Sequence, residues 1–159
     1  MTTTCEVLVV GAGPTGLTLA NELARRGVQV RVVDAAAQPS RQTRALGVQA
    51  RTLELFEKLG LAGEAIARGL PTSEFHVISE GHEMLHLSLD GLDSPYPFLL
   101  MLPQDEVEEL LATRLAEVGA TVERPVALAG LRQDADGCEV TLRHAGGAVE
   151  HARADWVVG

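Results

Sequence analysis

Two short stretches of this sequence combine residue types and spacings that could do chemistry. The first, HEMLH at positions 82–86, matches the H-E-x-x-H pattern, in which two histidines bind a zinc ion and the glutamate acts as general base. That chemistry needs a helix, because only there do residues four apart bring both imidazoles within about 2.1 Å of one metal ion. The local conformation therefore decides whether this stretch is a metal site.

The residues around HEMLH predict strands rather than a helix. Leucines alternate with polar residues from Leu85 to Leu89, and Glu80-Gly81 is typical of a turn between two strands. In a strand the two histidines of the pattern would lie roughly 13 Å apart, since each residue rises about 3.3 Å. We therefore expect the histidines to face solvent on a hairpin, and we expect no metal site.

The second stretch is a glycine-rich segment that follows the pattern G-x-G-x-x-G. Gly11 permits a tight turn, Gly13 leaves room for a diphosphate against the backbone, and Gly16 lets a helix pack closely on a strand. A helix that begins here offers unpaired N–H groups and a partial positive charge to phosphate oxygens. The predicted cofactor-binding segment consists of Gly11, Ala12, Gly13, Pro14, Thr15 and Gly16.

The elements around this segment form a complete β-α-β unit. The apolar run at 7–10 predicts a buried parallel strand, and an apolar stripe then predicts a helix that ends at Gly27. A second strand, at 28–33, leads to Asp34, at the position where an acidic residue binds the ribose hydroxyls of an adenine dinucleotide. Because its charge would repel a 2′-phosphate, the pocket favours FAD or NAD over NADP.

Composition limits the classes of protein that fit. The 159 residues, 46% of them hydrophobic, suffice for one globular core, and a net charge of −9 argues against nucleic acid or an anionic membrane as partner. No apolar stretch approaches the ~18 residues of a membrane span, so we expect a soluble, cytoplasmic protein. Cys5 and Cys138 are too few for a disulfide framework or a cysteine-based metal site.

Beyond Asp34 the chain departs from a repeated β-α pattern. Helices are predicted from about Ala50 to Leu59 and from an N-cap at Asp105 to Gly119. Short strands precede and follow the second helix, and the last two are predicted as separate strands at 149–153 and 156–159. This strand-rich remainder is hard to fit into an ordinary NAD-binding domain.

With these elements in place, the chain resembles the N-terminal part of the class A flavoprotein monooxygenases. These are the FAD-dependent aromatic hydroxylases similar to p-hydroxybenzoate hydroxylase, and the likeness is greatest to the branch that hydroxylates polyketide and antibiotic ring systems. The resemblance rests on the glycine segment with Asp34, on RALGVQARTLELFEKLGL at 44–61, on LPQDEVEELLATRLAEVGA at 102–120 and on ADWVVG at 154–159. The second and third of these blocks are far more specific than the first.

The resemblance implies the fold and its division. We expect an α/β, Rossmann-like three-layer fold that binds FAD or NAD(P), contains inserted antiparallel strands of a substrate domain, and is incomplete at the C-terminus. Residues 1–70 would form the FAD-binding βαβ unit and the following helix, 71–102 the strands of the substrate-domain sheet, and 103–159 the return to the FAD-binding domain.

The resemblance also implies roles for single residues. In such enzymes the arginine that opens the RALG block and the glutamine before the next long helix contact the flavin cofactor, which points to Arg44 and Gln104. Val126 lies where the family places backbone against adenine. The family more often has Glu at the position of Asp34, so the acidic side chain here is one methylene shorter.

The implied activity of the full-length protein is hydroxylation of an aromatic or polyketide ring with NAD(P)H and O2 through a flavin C4a-hydroperoxide. This chain would be its cofactor-binding N-terminal part, inactive alone, with the catalytic residues, unidentified here, largely beyond Gly159. Two alternatives stay open: an NAD-dependent dehydrogenase of ordinary Rossmann type, and another FAD-binding oxidoreductase or oxidase.

Overall fold

The computed structural model of the protein describes residues 3–39 and 46–159. The chain divides into two compact units, the first comprising Met1–Arg41 with Glu108–Gly159 and the second Gln42–Val107. The boundaries of these units fall at 41/42 and 107/108, whereas the predicted division into functional domains at 70/71 and 102/103 stays a prediction. Among the described residues, no helix is both long enough and apolar enough to cross a lipid bilayer.

The described residues form four α-helices and eleven strands. The helices are α1 (Pro14–Ala24), α2 (Ala50–Leu59), α3 (Ala62–Arg68) and α4 (Gln104–Glu117). The strands are β1 (Thr3–Val10), β2 (Val30–Val33), β3 (Gly47–Val48), β4 (Leu70–Thr72), β5 (Glu74–Ser79), β6 (His82–Ser88), β7 (Leu99–Met101), β8 (Val122–Glu123), β9 (Val126–Asp134), β10 (Gly137–His144) and β11 (Val149–Val158).

The first unit is built on a six-stranded sheet in the order β8-β2-β1-β11-β10-β9. The strands β8, β2, β1 and β11 are parallel neighbours, and β9, β10 and β11 form an antiparallel meander. The predicted β-α-β unit is therefore confirmed. One cluster of the core is formed by Leu8, Val33, Val126, Val140, Leu142, Ala152 and Ala154, all buried.

Helix α1 is tied to α4 by a buried polar side chain. Asn21, 1% exposed, donates from Nδ2 to the carbonyl oxygens of Leu17 and Leu111, each at 2.9 Å. The bond to Leu17 lies within α1, whereas the bond to Leu111 joins α1 to α4. Because a buried amide without partners would cost a few kcal/mol, the bond to Leu111 favours one position of α1 relative to α4. The helix that carries the glycine turn is thereby fixed within its unit.

The second unit contains α2, α3, a three-stranded sheet in the order β3-β7-β4 and the separate two-stranded hairpin β5-β6. Helix α2 matches the prediction and ends at Gly60, whose φ of 76° is the left-handed conformation that glycine adopts most readily. The predicted hairpin is also confirmed, since HEMLH lies in β6 and the turn residues Glu80 and Gly81 both have positive φ.

Three expectations about elements were wrong or incomplete. Residues 149–158 form one strand rather than two, because this segment pairs with β10 over its first part and with β1 over its second, and both ladders include 152–154. Helix α4 begins at Gln104, so Asp105 lies within its first turn and is not the N-cap. Helix α3 was not predicted at all, since it is only seven residues long.

Candidate nucleotide-binding site

The glycine segment forms the connection between β1 and α1. Gly11 has a φ of 106°, which favours glycine, and its N–H donates to the carbonyl oxygen of Val33 at 2.8 Å. Helix α1 begins at Pro14, after Gly13 in extended conformation, and none of the described side chains caps its N-terminus. The N–H groups of its first turn are therefore left for an external acceptor such as a phosphate.

The second and third glycines of the pattern have different surroundings. A Cβ built at Gly16 would lie 2.0 Å from the carbonyl oxygen of Gly11, a clash that only a backbone shift could relieve. A Cβ built at Gly13 would meet no atom of the described residues within 4 Å. Gly16 is therefore required by the fold itself, whereas the space beside Gly13 is open and available to a bound group.

Asp34 links this turn to the end of β2. Its carboxylate accepts the N–H of Ala12 through Oδ2 and the N–H of Ala36 through Oδ1, both at 2.8 Å, and its side chain is 18% exposed. An ionised carboxylate has about four acceptor positions, so two bonds leave capacity for hydroxyl donors. Asp34 therefore lies beside the glycine turn, held in place by the backbone amides on either side of it.

Arg124 is a further residue of this site, and sequence reasoning missed it. Its Nη1 lies 3.3 Å from Oδ1 of Asp34, its Nη2 donates to the carbonyl oxygen of Ala12 at 3.4 Å, and only 14% of the side chain is exposed. It follows β8, whose pairing with β2 includes a bond from the Asp34 N–H to the Glu123 carbonyl oxygen at 3.0 Å. No motif marks this arginine, because only that long-range pairing brings it to the turn.

A network of charged side chains holds the strand that precedes Arg124. The guanidinium of Arg31 in β2, 14% exposed, contacts both oxygens of Glu123 at 2.6 and 2.7 Å and both oxygens of Glu150 at 2.6 and 2.9 Å. These hydrogen bonds, first to Glu123 and then to Glu150, raise the pKa of Arg31 above its usual range. These hydrogen bonds fix Glu123 and hence its neighbour in the chain, Arg124.

The predicted site residues are placed as follows. The glycine segment, Asp34 and Val126 lie together in the first unit, where the N–H of the buried Val126 donates to the carbonyl oxygen of Asp34 at 2.8 Å. Gln104 is the first residue of α4 and belongs to the second unit, so its contact with a cofactor stays a prediction. Arg44 lies outside the described residues.

The second unit contains an apolar cleft of its own. Its volume is about 510 Å³, and its wall is mostly aliphatic and aromatic. The hairpin β5-β6 contributes Phe75 and Leu87 from its apolar face, and Phe98 and Leu99 come from the segment that ends in β7. Such a cleft can accept a ring system by hydrophobic contact.

Comparison with known proteins identifies the family to which this chain belongs. Residues 4–159 match the family described as the FAD binding domain, which covers nearly the whole chain. The chain belongs to the FAD-binding domain family. The open space at Gly13 and the uncapped start of α1 fit a dinucleotide diphosphate, so FAD is the cofactor assigned to this domain.

Relatives of this FAD-binding domain are bacterial monooxygenases. It is 43% identical over 156 residues to 6-methylpretetramide 4-monooxygenase of Streptomyces rimosus and 40% identical over 157 residues to rifampicin monooxygenase of Streptomyces venezuelae, in each case over 97% of this chain. Among solved structures, the OxyS anhydrotetracycline hydroxylase of Streptomyces rimosus superposes with a TM-score of 0.88 at 35% identity over 99% of this chain.

These comparisons confirm the predicted family and the predicted α/β FAD-binding fold. The chain spans only 28% and 31% of the two curated relatives and 31% of the OxyS chain. More than two thirds of each of these relatives therefore lies outside the region that this chain matches.

Proposed function

We propose that the full-length protein is an FAD-dependent monooxygenase that hydroxylates an aromatic or polyketide ring with NAD(P)H and O2, and that this chain is its cofactor-binding N-terminal part. The observation that carries the proposal is the open glycine turn beside Asp34 in a member of the FAD-binding domain family. When bound, FAD supplies the redox chemistry. The protein binds the cofactor, orients the substrate ring and excludes water from the site. A cytoplasmic location stays a prediction.

In this proposal, different residues at and near the turn bind different parts of the cofactor. The first-turn N–H groups of α1 donate hydrogen bonds to the diphosphate over Gly13, since the helix N-terminus carries a partial positive charge. Asp34 binds the adenosine ribose hydroxyls, and Arg124 holds that carboxylate in place while balancing part of its charge. Contacts of Arg44, Gln104 and Val126 with the cofactor stay predictions from the family resemblance.

The apolar cleft of the second unit is proposed to receive the ring substrate. Its volume of about 510 Å³ lies within the roughly 300–1,000 Å³ typical of small-molecule sites. Phe75, Phe98 and leucines on its wall favour a flat, largely apolar ring system over a sugar or a charged metabolite. The names of the relatives, which cite 6-methylpretetramide, rifampicin and anhydrotetracycline, support multi-ring aromatic substrates.

The test uses the purified full-length protein and a panel of tetracyclic and ansamycin polyketides. We expect a yellow protein with one FAD per chain, NAD(P)H oxidation that an accepted substrate accelerates, and a product that carries one oxygen atom from labelled O2. A matched variant, Gly13→Val, should bind FAD about tenfold or more weakly and show correspondingly lower turnover.

Two other outcomes would replace the proposal. A substrate oxidised without incorporation of labelled oxygen, with one peroxide released per turnover, would make the protein an oxidase. A colourless protein that binds NAD but not FAD would make it a dehydrogenase.

A further inference from the structure

The polar face of the β5-β6 hairpin brings together side chains that can ligate a metal ion. His76 and His86 are directly opposite each other in the antiparallel register, and their rings lie nearly parallel with centroids 4.3 Å apart. Glu74 lies two residues before His76 and therefore on the same face of the hairpin. Cross-strand neighbours have Cβ atoms about 5 Å apart, close enough for two imidazoles to reach one ion.

A β-bulge adds a second carboxylate to this face. Val77 pairs with Leu85, but the next pair is Ile78 with Glu83, so Met84 is the extra residue of the bulge. Strict alternation would have turned Glu83 to the face opposite that of His86, and the bulge returns it. Its carboxylate oxygen lies 2.9 Å from Nδ1 of His76.

The contact between Glu83 and His76 prepares the imidazole as a ligand. When a carboxylate accepts a hydrogen bond from the N–H of Nδ1, Nε2 of the neutral ring carries the free lone pair. A carboxylate that orients a metal-binding histidine in this way is a common support in protein metal sites. The carboxylate of Glu74 lies 3.9 Å from Nε2, on the side where the metal would be bound.

We propose that Glu74, His76 and His86 bind a divalent transition-metal ion of the Zn²⁺ type, with Glu83 as the residue that orients His76. The three side chains are exposed, and one ligand atom from each lies within 4.8 Å of the others. Imidazole nitrogen with carboxylate oxygen is a donor set suited to Zn²⁺, Cu²⁺ and Ni²⁺, and three protein ligands leave a fourth position for water.

Two further features favour binding of a cation. The hairpin segment 73–91 contains four acidic residues and no lysine or arginine, so its field attracts cations. Two ligand atoms on a tetrahedral ion at about 2.1 Å are about 3.4 Å apart, and exposed side chains reach this separation from 4.8 Å by rotation about their χ angles. When the ion binds, the two stacked imidazole rings rotate so that one nitrogen of each points at the ion.

This site differs from the zinc site that the H-E-x-x-H pattern of HEMLH would form on a helix. It uses His86 with a cross-strand partner and does not use His82, which pairs with Ser79 at the turn end of the hairpin. Glu83 orients a ligand here and is not a general base. The expectation of no metal site followed from the distance between the two histidines of the pattern and did not consider the opposite strand.

Isothermal titration of the tag-free full-length holoprotein with ZnCl2 tests the proposal. We expect one saturable Zn²⁺ site per chain, which His76→Ala and His86→Ala each abolish and Glu74→Gln weakens. Glu83→Gln should lower the affinity by about 10- to 100-fold, as the loss of an orienting partner does. His82→Ala, a change of the same size on the same strand, is the control and should bind Zn²⁺ as the unchanged protein does.

Flavin absorbance is measured in parallel to check that each variant is folded. Because the substituted side chains are exposed, we expect folding to be unaffected. Absence of saturable Zn²⁺ binding by the unchanged protein would overturn the proposal. So would a His82→Ala variant that loses the site, or His76→Ala and His86→Ala variants that retain it.

Discussion

The turn between β1 and α1 and the β5-β6 hairpin are held by different kinds of contact. Around the turn, Leu8, Val9, Leu17 and Ala20 are at most 1% exposed, so the packed core holds its backbone. In the hairpin no residue of either strand is buried, and its shape depends on cross-strand pairs and one bulge. A substitution at the turn is therefore felt by the fold, whereas one in the hairpin acts locally.

Each region also carries its chemistry in a different way. At the turn the proposed binding group is the backbone, through N–H groups at a helix start and the space left by Gly13. On the hairpin the side chains are the binding groups, and the backbone only sets which of them share a face. Substitutions that affect folding and binding to different degrees test this difference between the two regions.

The largest effect is expected from Gly16→Ala. The new methyl group would lie 2.0 Å from a backbone oxygen, so β1 and α1 must move apart and the core between them must repack. Overpacking of this kind costs about 1–3 kcal/mol, and the rigid neighbour favours the upper end. Thermal unfolding of the full-length protein should show a midpoint lowered by several degrees together with loss of bound FAD. An unchanged midpoint would mean that the turn is not held by packing.

A smaller and more selective effect is expected from Gly13→Val. The φ of −78° and ψ of 179° at Gly13 suit a β-branched residue, and a Cβ placed there would meet no atom of the described part of the chain within 4 Å. Folding should be unaffected, but the side chain fills the space assigned to the diphosphate. We expect the affinity for FAD, followed by flavin fluorescence, to fall by about tenfold or more, a loss of at least ~1.4 kcal/mol. Retained affinity at this position would separate the glycine turn from cofactor binding.

Arg124→Met should have a moderate effect. It removes the guanidinium from Asp34 and from the carbonyl oxygen of Ala12 while keeping much of the side-chain volume. Since a hydrogen bond to a charged group contributes about 1.5–3 kcal/mol, we expect FAD affinity to fall by roughly 10-fold, with partial recovery in Arg124→Lys. Equal affinities of the Met and unchanged proteins would remove Arg124 from the site.

The smallest effect is expected when His82 and His86 are both replaced by alanine. Both side chains are exposed on β6, so neither the thermal midpoint nor the FAD content should change by more than experimental error. A loss of flavin in this double variant would show that the hairpin is coupled to the cofactor site, and substitutions in the hairpin would then not act locally.

The sequence predicts those features whose determinants are close together in the chain. The β-α-β unit, the positions of Gly11, Gly13 and Gly16, and the end of α2 at Gly60 each depend on residues within about one turn or strand of one another.

Features that depend on distant pairing could not be predicted. Arg124 reaches Asp34 only because β8 pairs with β2, and Arg31 joins Glu123 and Glu150 across 92 and 119 residues. The bulge that turns Glu83 toward His76 likewise arises from how two strands pair, which residue spacing in one strand does not encode.

The most direct test of the central claim is a crystal structure of the full-length protein with FAD. The account predicts that the diphosphate lies over Gly13 within hydrogen-bond distance of the first-turn N–H groups of α1, and that a ribose hydroxyl donates to the carboxylate of Asp34. A diphosphate bound elsewhere, with the space beside Gly13 filled by protein side chains, would contradict it.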